Sequence, residues 1–106
     1  MPTLKPEPTL ADYQQYVIEL EEERGFADQT VLMKTLMLGE EMGELFKAIR
    51  KQQAIKIDHA TAKVGDIDEE LADMFIFLCS IANRYGIDLE EAFRKKEEIN
   101  KKRVWG

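Results

Sequence analysis

The chain has 106 residues, of which 34% are charged and 44% hydrophobic, and its formal net charge at pH 7 is −6. This composition is that of one small globular domain and excludes an intrinsically disordered chain. Because no basic block or stripe balances the acidic excess, the sequence argues against DNA or RNA as a partner. An acidic protein can still bind a nucleotide when a divalent metal ion mediates the contact.

The sequence also argues against a membrane or secreted protein. Its first ten residues lack the apolar core of a signal peptide, and its longest nearly apolar run, 74–82, is about half the length that a bilayer requires. The single cysteine, Cys79, lies in that run and is expected to be a small buried hydrophobe. Since no intrachain disulfide is possible, we expect a cytoplasmic protein without a membrane partner.

Helix signals begin after a proline-containing leader. Prolines at positions 2, 6 and 8 predict a flexible, extended leader over residues 1–8, followed by a folded domain over 9–106. Thr9 and Asp12 form the pattern of a capping box, which predicts a first helix to about residue 23 that Gly25 ends.

Three further helices are predicted in the rest of the chain. The second runs from about 29 to 53, and a loop over 54–65 separates it from a third helix over 66–85 with Gly86 at its C-terminal cap. Asp88 and Glu91 form a second capping-box pattern, and the last helix runs to about residue 103. The fold class is therefore all-α, a four-helix bundle without strands.

Two features predict association with further copies of the chain. Four helices in so short a chain leave an apolar face that a second subunit can cover, so we expect a homodimer or homotetramer. Gly39 and Gly43 lie four residues apart inside the second helix, which indicates a close approach by the backbone of another helix.

Acidic residues on the second helix form the first half of a candidate metal site. Glu41 and Glu44 are three apart and share a sector of the helix with Met37 and Ala48, so they are expected to face inward. Glu40 falls on the solvated side and is expected to be peripheral. Taken alone, however, such glutamates are as often a solvated helix face as a site.

Glu70 and Asp73, also three apart, form the second half on the third helix. From residue 71 to 82 every residue except Asp73 and Ser80 is apolar, which predicts a central buried helix with a carboxylate inside the core. A buried carboxylate requires a proton or a cation. An oxygen-only ligand set favours Mg²⁺ or Mn²⁺, and because Mg²⁺ commonly recruits phosphate oxygens, a phosphorylated substrate is expected.

Four segments of the sequence match a known family. Glu-Glu-x-x-Glu within 38–45, Glu-x-x-Asp at 70–73, and the segments 85–92 and 96–103 resemble the MazG-like nucleotide pyrophosphohydrolases, from about residue 9 to the end. This all-α superfamily includes the dimeric dUTPases and the phosphoribosyl-ATP pyrophosphatases. The resemblance implies a four-helix MazG-like bundle, completed by oligomerisation.

The resemblance implies a reaction and a set of site residues. A (d)NTP would be cleaved between its α and β phosphates to (d)NMP and pyrophosphate, which fits house-cleaning of non-canonical nucleotides. The metal ligands would be Glu41, Glu44, Glu70 and Asp73. One of these acids, Glu41 among them, or the neighbouring Glu40, would orient or deprotonate the attacking water. The preferred base and sugar, the number of metal ions and the identity of the general base stay open.

Substrate contacts are predicted at five positions. Lys96, Asn100 and Arg103 share a face of the last helix, where the resemblance implies phosphate or sugar contacts and where a solvated basic helix end is the alternative. Lys34, two turns before Glu41, is a further phosphate candidate. Phe26 stands where some relatives place an aromatic residue that stacks on the base, and plain packing is its alternative.

Three other interpretations are open. A phosphoribosyl-ATP pyrophosphatase would share the metal site and differ in substrate. A di-iron bundle would need Glu-x-x-His motifs, whereas the single histidine, His59, is far from both acidic pairs in the sequence. In a non-catalytic helical interaction protein, the acids would only make the surface soluble.

Overall fold

The computed structural model describes residues 1–53 and 67–104. Within these ranges the chain forms four helices and no strand: α1 (Leu10–Arg24), α2 (Val31–Gln52), α3 (Ile67–Arg84) and α4 (Leu89–Lys101). The all-α prediction is therefore confirmed. The predicted loop over 54–65, with His59, lies outside the described residues. None of the described helices combines the length and the apolar character needed to cross a membrane.

Local signals fix the helix ends. Thr9 and Asp12 make both halves of the predicted capping box, with hydrogen bonds of 2.8 and 3.2 Å between each backbone N–H and the other side chain. Gly25 ends α1 in the left-handed conformation at φ 77°, which glycine adopts without strain. The predicted box at the start of α4 is only half formed. Asp88 accepts from the backbone N–H of Glu91, but the carboxylate of Glu91 pairs with Lys95 at 2.8 Å.

The chain forms two compact units, and the first combines residues 1–28 with the described residues from 79 onward. Here α1 packs against α4. Val17, Leu20 and Ala82 are buried, and Cys79 has no exposed surface, as the sequence predicted. Gln14 joins three segments, because its amide donates to Asn83 Oδ1 and to the Ile87 carbonyl and accepts from Leu89 N–H.

A buried ionic cluster connects α1 with the end of α3 in this first unit. The Arg84 guanidinium lies 3.0 Å from the Glu21 carboxylate, and the Ser80 hydroxyl donates to the same carboxylate. Arg84 also donates to the backbone carbonyl of Phe26 at 3.2 Å. The cluster therefore neutralises a buried carboxylate and holds the segment that follows α1.

The second unit comprises the described residues of 29–78, that is, α2 and most of α3. Ala48 and Lys34 are buried on α2. The prediction that α3 is buried nearly all round is wrong for this chain, since Leu71 is 53% exposed, Leu78 is 46% exposed and Asp73 is exposed. An apolar pattern identifies a side that avoids water, but it does not say that the same chain covers that side.

Candidate metal centre

Three carboxylates come together in the second unit. Glu41 on α2 and both Glu70 and Asp73 on α3 each place one carboxylate oxygen so that all three oxygens lie within 4.8 Å of one another. The pair on α3 shares a face because residues three apart on a helix are neighbours. Such an arrangement of oxygen donors suits a hard divalent cation such as Mg²⁺ or Mn²⁺.

The two helices are antiparallel at this point. Glu41 meets Glu70, while Lys34, seven residues earlier on α2, lies over the ring of Phe77, seven residues later on α3. Seven residues are two turns, about 10 Å along a helix. The inner side of α2 therefore presents the carboxylates at one level and the Lys34–Phe77 contact two turns away.

The neighbouring acids favour the neutral form of Glu41. A hydrogen bond to Glu70, partial burial, and the negative charges of Glu70, Asp73 and Glu44 together raise the pKa of Glu41 to about 7. Like charges that cannot separate favour the neutral acid. A cation placed among these oxygens would reverse that preference and release the proton.

Glu70 supplies a test of whether a cation fits. Its Oε2 atom is buried and has no hydrogen-bond partner among the described residues. A buried acceptor without a partner destabilises the folded state, and a carboxylate oxygen does so more than a neutral group. An Mg²⁺ ion held by Glu41, Glu70 and Asp73 would coordinate such an oxygen, so the residues present fit the metal.

Glu44 and Glu40 lie at the edge of this site rather than in it. Glu44 is exposed and is not one of the three clustered carboxylates, although its charge contributes to the raised pKa of Glu41. The buried side of α2 is centred on the line through Lys34, Glu41 and Ala48, and three residues turn a helix by about 300°, which places Glu44 roughly 60° off that line. The prediction that Glu44 faces inward is therefore wrong, while Glu40 is exposed as expected.

Asp73 also differs from its prediction. It joins the cluster, but its side chain is exposed instead of lying inside an apolar core. The half-buried acids are Glu41 and Glu70. The need for a cation therefore rests on Glu70 rather than on Asp73.

The predicted substrate residues divide between the two units. Lys34 is in the second unit and only 3% exposed, with its ammonium 5.6 Å from the centre of the Phe77 ring, a cation–π contact. Lys96 and Arg103 on the C-terminal side of the first unit are exposed, and Asn100 is half-buried and donates to Glu97 at 2.8 Å.

Phe26, also in the first unit, is 39% exposed. Its N–H donates to the Glu21 carbonyl at 2.7 Å, and its carbonyl accepts from Arg84. Its backbone is therefore fixed at both polar groups while part of its ring stays accessible.

Two sets of contacts were not predicted from the sequence: that of Lys34 with Phe77, and those of Glu21 with Ser80 and Arg84. Phe77 follows Glu70 and Asp73 at helical spacing, and that periodicity could have placed it on the face of the acids. The partners of Glu21 left less signal. Ser80 and Arg84 are four apart and share a face, but nothing in the sequence connects them to a carboxylate about 60 residues away.

Comparison with known proteins gives a match that spans the clustered carboxylates. The family model of the MazG nucleotide pyrophosphohydrolase domain matches residues 29–104, most of the chain. The chain belongs to the MazG family. All three clustered carboxylates lie inside the matched segment, as do Lys34, Lys96, Asn100 and Arg103.

A relative of similar length is also similar to this MazG-family chain over most of its sequence. The uncharacterized protein YvdC of Bacillus subtilis (strain 168) is 29% identical over 101 residues, which cover 89% of this chain and 94% of the relative. The similarity thus extends over almost the whole of both proteins.

Proposed function

We propose that this MazG-family protein is an Mg²⁺-dependent pyrophosphohydrolase that converts a (d)NTP to (d)NMP and pyrophosphate, with house-cleaning of non-canonical nucleotides as its role. The observation that supports this most directly is the cluster of Glu41, Glu70 and Asp73, in which one buried Glu70 oxygen lacks a hydrogen-bond partner within residues 1–53 and 67–104. Family membership supplies the reaction class, and the donor atoms supply the preference for Mg²⁺ over softer metals.

Different carboxylates would bind the metal ion and accept the proton. Glu41, Glu70 and Asp73 would hold the ion, and the exposed Glu44 would join them as a fourth ligand. A bound Mg²⁺ supplies positive charge for the phosphate oxygens and acidifies its water. Glu41 or its exposed neighbour Glu40 would accept the proton of the attacking water.

The substrate contacts in this proposal follow exposure and charge. Lys96 and Arg103 are exposed cations, and Asn100 could contact phosphate or sugar if its amide left Glu97. Lys34 would have to leave its buried position over Phe77, which makes it the weaker phosphate ligand. Phe26 offers a partly accessible ring of the kind on which a base stacks. The proposal includes a cytoplasmic homodimer or homotetramer.

The test is pyrophosphate release from a panel of canonical and modified (d)NTPs, in Mg²⁺ and in EDTA. We expect Mg²⁺-dependent release with a monophosphate as the second product. Changing any proposed ligand to its amide should abolish release, while Glu40→Gln should only reduce it (the ligand variants are Glu41→Gln, Glu44→Gln, Glu70→Gln and Asp73→Asn). Glu69→Gln is the matched control, because Glu69 is an exposed acid next to Glu70.

Two outcomes would contradict the proposal at different levels. Full turnover in all four ligand variants would show that the site is elsewhere. No release from any nucleotide, but hydrolysis of phosphoribosyl-ATP, would leave the metal centre in place and change the substrate. If neither substrate reacted and Mg²⁺ left the melting temperature unchanged, the acids would be a solvated surface of a binding protein.

A further inference from the structure

Both backbone polar groups of Phe26 are held by contacts that lead to Glu21. The Phe26 N–H donates to the backbone carbonyl of Glu21 at 2.7 Å. The Phe26 carbonyl accepts from Arg84 at 3.2 Å, and the same guanidinium pairs with the Glu21 carboxylate. The main chain and the side chain of Glu21 therefore close a ring of hydrogen bonds that passes through the backbone of Phe26.

Only one half of this ring is encoded locally. Gly25 turns the chain at φ 77°, and the bond from the Phe26 N–H to the carbonyl five residues earlier is common after such a glycine. The carbonyl of Phe26, in contrast, is bound by a residue 58 positions later in the chain. Without Arg84, the helix end would fix the N–H of Phe26 and leave its carbonyl to water.

Arg84 makes these contacts with the two ends of its planar guanidinium. Nη1 lies 3.1 Å from Oε1 of Glu21 and also donates to the Ser80 hydroxyl. Nη2 lies 3.0 Å from Oε2 of Glu21 and donates to the Phe26 carbonyl. A lysine ammonium would carry the same charge, but its N–H groups leave a single atom and cannot reproduce this fork. One substitution can therefore separate charge from geometry.

Stability alone does not account for the buried pair. The side chain of Glu21 is 6% exposed and that of Arg84 is 16% exposed. Apolar residues of similar volume often replace a buried ion pair without loss of stability, because they avoid the desolvation of two charges. An apolar pair, however, would not donate a hydrogen bond to the Phe26 carbonyl. What the charged pair adds is a fixed backbone at Phe26.

The ring of Phe26 is accessible to a ligand from this fixed backbone. Phe26 is 39% exposed, whereas its N–H and its carbonyl are both engaged within the chain. It thus offers a ligand an aromatic ring and no backbone hydrogen bond, which suits stacking on a nucleobase. A stacking residue that is ordered before the ligand arrives loses less freedom on binding, so the ligand binds more tightly.

We propose that Glu21 and Arg84 are positioning residues for the nucleobase, because they hold Phe26 where the base stacks on it. This inference rests on the proposed function, in which the base of the (d)NTP stacks on Phe26. Both residues act through Phe26, since their own side chains are largely buried. Loss of the contact should weaken nucleotide binding and leave the chemical step unchanged, because stacking stabilises the bound substrate and the transition state equally.

Steady-state kinetics of pyrophosphate release test the proposal, with Mg²⁺ and the nucleotide that the wild type hydrolyses fastest. We expect Arg84→Lys to raise KM roughly three- to tenfold, the effect of ordering one segment and one side chain on binding, with kcat unchanged. Arg94→Lys is the matched control, because Arg94 belongs to an exposed pair with Glu90, and it should change neither constant. An unchanged KM in Arg84→Lys would overturn the proposal.

The double variant Glu21→Met/Arg84→Met separates positioning from stability. It should regain much of the stability that Arg84→Met loses, yet keep a raised KM, because nothing donates to the Phe26 carbonyl. In a Phe26→Ala background, which itself raises KM, Arg84→Lys should add nothing, because the ring is gone. A wild-type KM in the double variant, or an equal effect of Arg84→Lys with and without the ring, would overturn the proposal.

Amide hydrogen exchange of the nucleotide-free protein distinguishes this proposal from the hydrolase proposal. The Phe26 amide should exchange about tenfold faster in Arg84→Lys than in wild type, and Arg94→Lys should leave it unchanged. Equal exchange in wild type and Arg84→Lys would overturn the positioning role even if the protein hydrolyses nucleotides. Faster exchange in Arg84→Lys, together with no pyrophosphate release by the wild type from any nucleotide, would overturn the hydrolase proposal and the role in base binding with it.

Discussion

Changing Glu41 to glutamine is expected to stabilise the metal-free protein at pH 8 and to remove its stabilisation by Mg²⁺. In the metal-free protein, the hydrogen bond to Glu70, partial burial and the neighbouring acids raise the pKa of Glu41 from 4.5 to about 7. Above pH 7 the Glu41 carboxylate is ionised beside Glu70 and Asp73, and repulsion destabilises the site. A glutamine at this position stays neutral and can still donate to Glu70.

The sign of the pH dependence follows from where the proton binds more tightly. Because the folded protein holds the Glu41 proton to a higher pH than the unfolded chain, stability falls as pH rises from about 4.5 to about 7 and is level above that. One pKa unit corresponds to about 1.4 kcal/mol, so this shift sets an upper limit of about 3 kcal/mol. Since Glu41 is only half-buried and solvent screens its charge, we expect less than this limit, about 1–2 kcal/mol.

The assay is urea unfolding of wild type, Glu41→Gln and Glu40→Gln at pH 5 and pH 8, in EDTA and in Mg²⁺. Other groups titrate over this range, so the informative quantity is the difference between wild type and variant. In EDTA, Glu41→Gln should gain relative to wild type between pH 5 and pH 8, while the exposed control Glu40→Gln should not. Mg²⁺ should stabilise wild type more at pH 8 than at pH 5, because the ion and the proton compete for Glu41. A wild-type-minus-Glu41→Gln difference that is the same at both pH values would refute the reasoning.

Three further predictions concern the metal centre, the ionic cluster and the buried thiol. Mg²⁺ should raise the melting temperature of wild type and not that of Asp73→Asn; identical wild-type curves in Mg²⁺ and EDTA would contradict the metal centre. Arg84→Met should lower the free energy of unfolding by about 3 kcal/mol, because it removes the guanidinium that neutralises buried Glu21, and adding Glu21→Met should recover much of the loss. Arg94→Met, which breaks an exposed pair with Glu90, should cost less than about 1 kcal/mol in denaturant titrations, and equal losses for the two arginines would argue against the buried cluster. Burial raises the pKa of the Cys79 thiol to about 11, so a thiol reagent at pH 8 should react quickly only after unfolding; fast reaction in the folded state would show that Cys79 is accessible.

The sequence predicted the parts of the fold that depend on neighbouring residues. Thr9 and Asp12 are three apart, and both hydrogen bonds of their capping box form between them. Gly25 and Gly86 adopt positive φ at the predicted helix ends, because glycine has no Cβ to oppose it. The half-formed box at Asp88 shows the limit, since Glu91 can reach either the cap or Lys95, and the spacing alone allows both.

The burial of α3 could not be predicted in the same way. Ten apolar residues between positions 71 and 82 describe a helix that avoids water on most sides, yet Leu71 and Leu78 stay about half exposed in the single chain. Periodicity reports how much apolar surface a helix offers. Whether the same chain or a second copy covers that surface is decided by packing at long range.

The predictions for the acidic cluster were likewise correct within each helix and wrong where they depended on packing between helices. The spacing within each helix brought Glu70 and Asp73 to one face and selected Glu41 over Glu40. The spacing also placed Glu44 inward. Glu44 lies only about 60° from Glu41 around the helix, and spacing alone does not determine which residue of that sector faces the neighbouring helix. Phe77 was missed although its helical spacing from Glu70 and Asp73 places it on their face. The partners of Glu21 were missed because contacts between distant segments leave no local pattern in one sequence.

Glu70 is the acid that most needs a cation, because its buried oxygen has no hydrogen-bond partner among the described residues. Amide variants at positions 70 and 73 should show how much each acid contributes to the raised pKa of Glu41. Glu70 makes the largest contribution to the raised pKa of Glu41, through its hydrogen bond, and the charge of Asp73 makes a smaller one. In metal-free protein, Glu70→Gln should move the pKa of Glu41 well back toward 4.5, while Asp73→Asn should move it less. Carbon-detected NMR titration of the Glu41 side-chain carboxyl measures both shifts directly. If Asp73→Asn lowered this pKa more than Glu70→Gln, the exposed acid would be the main source of repulsion, and Asp73 rather than Glu70 would be the residue that requires the metal.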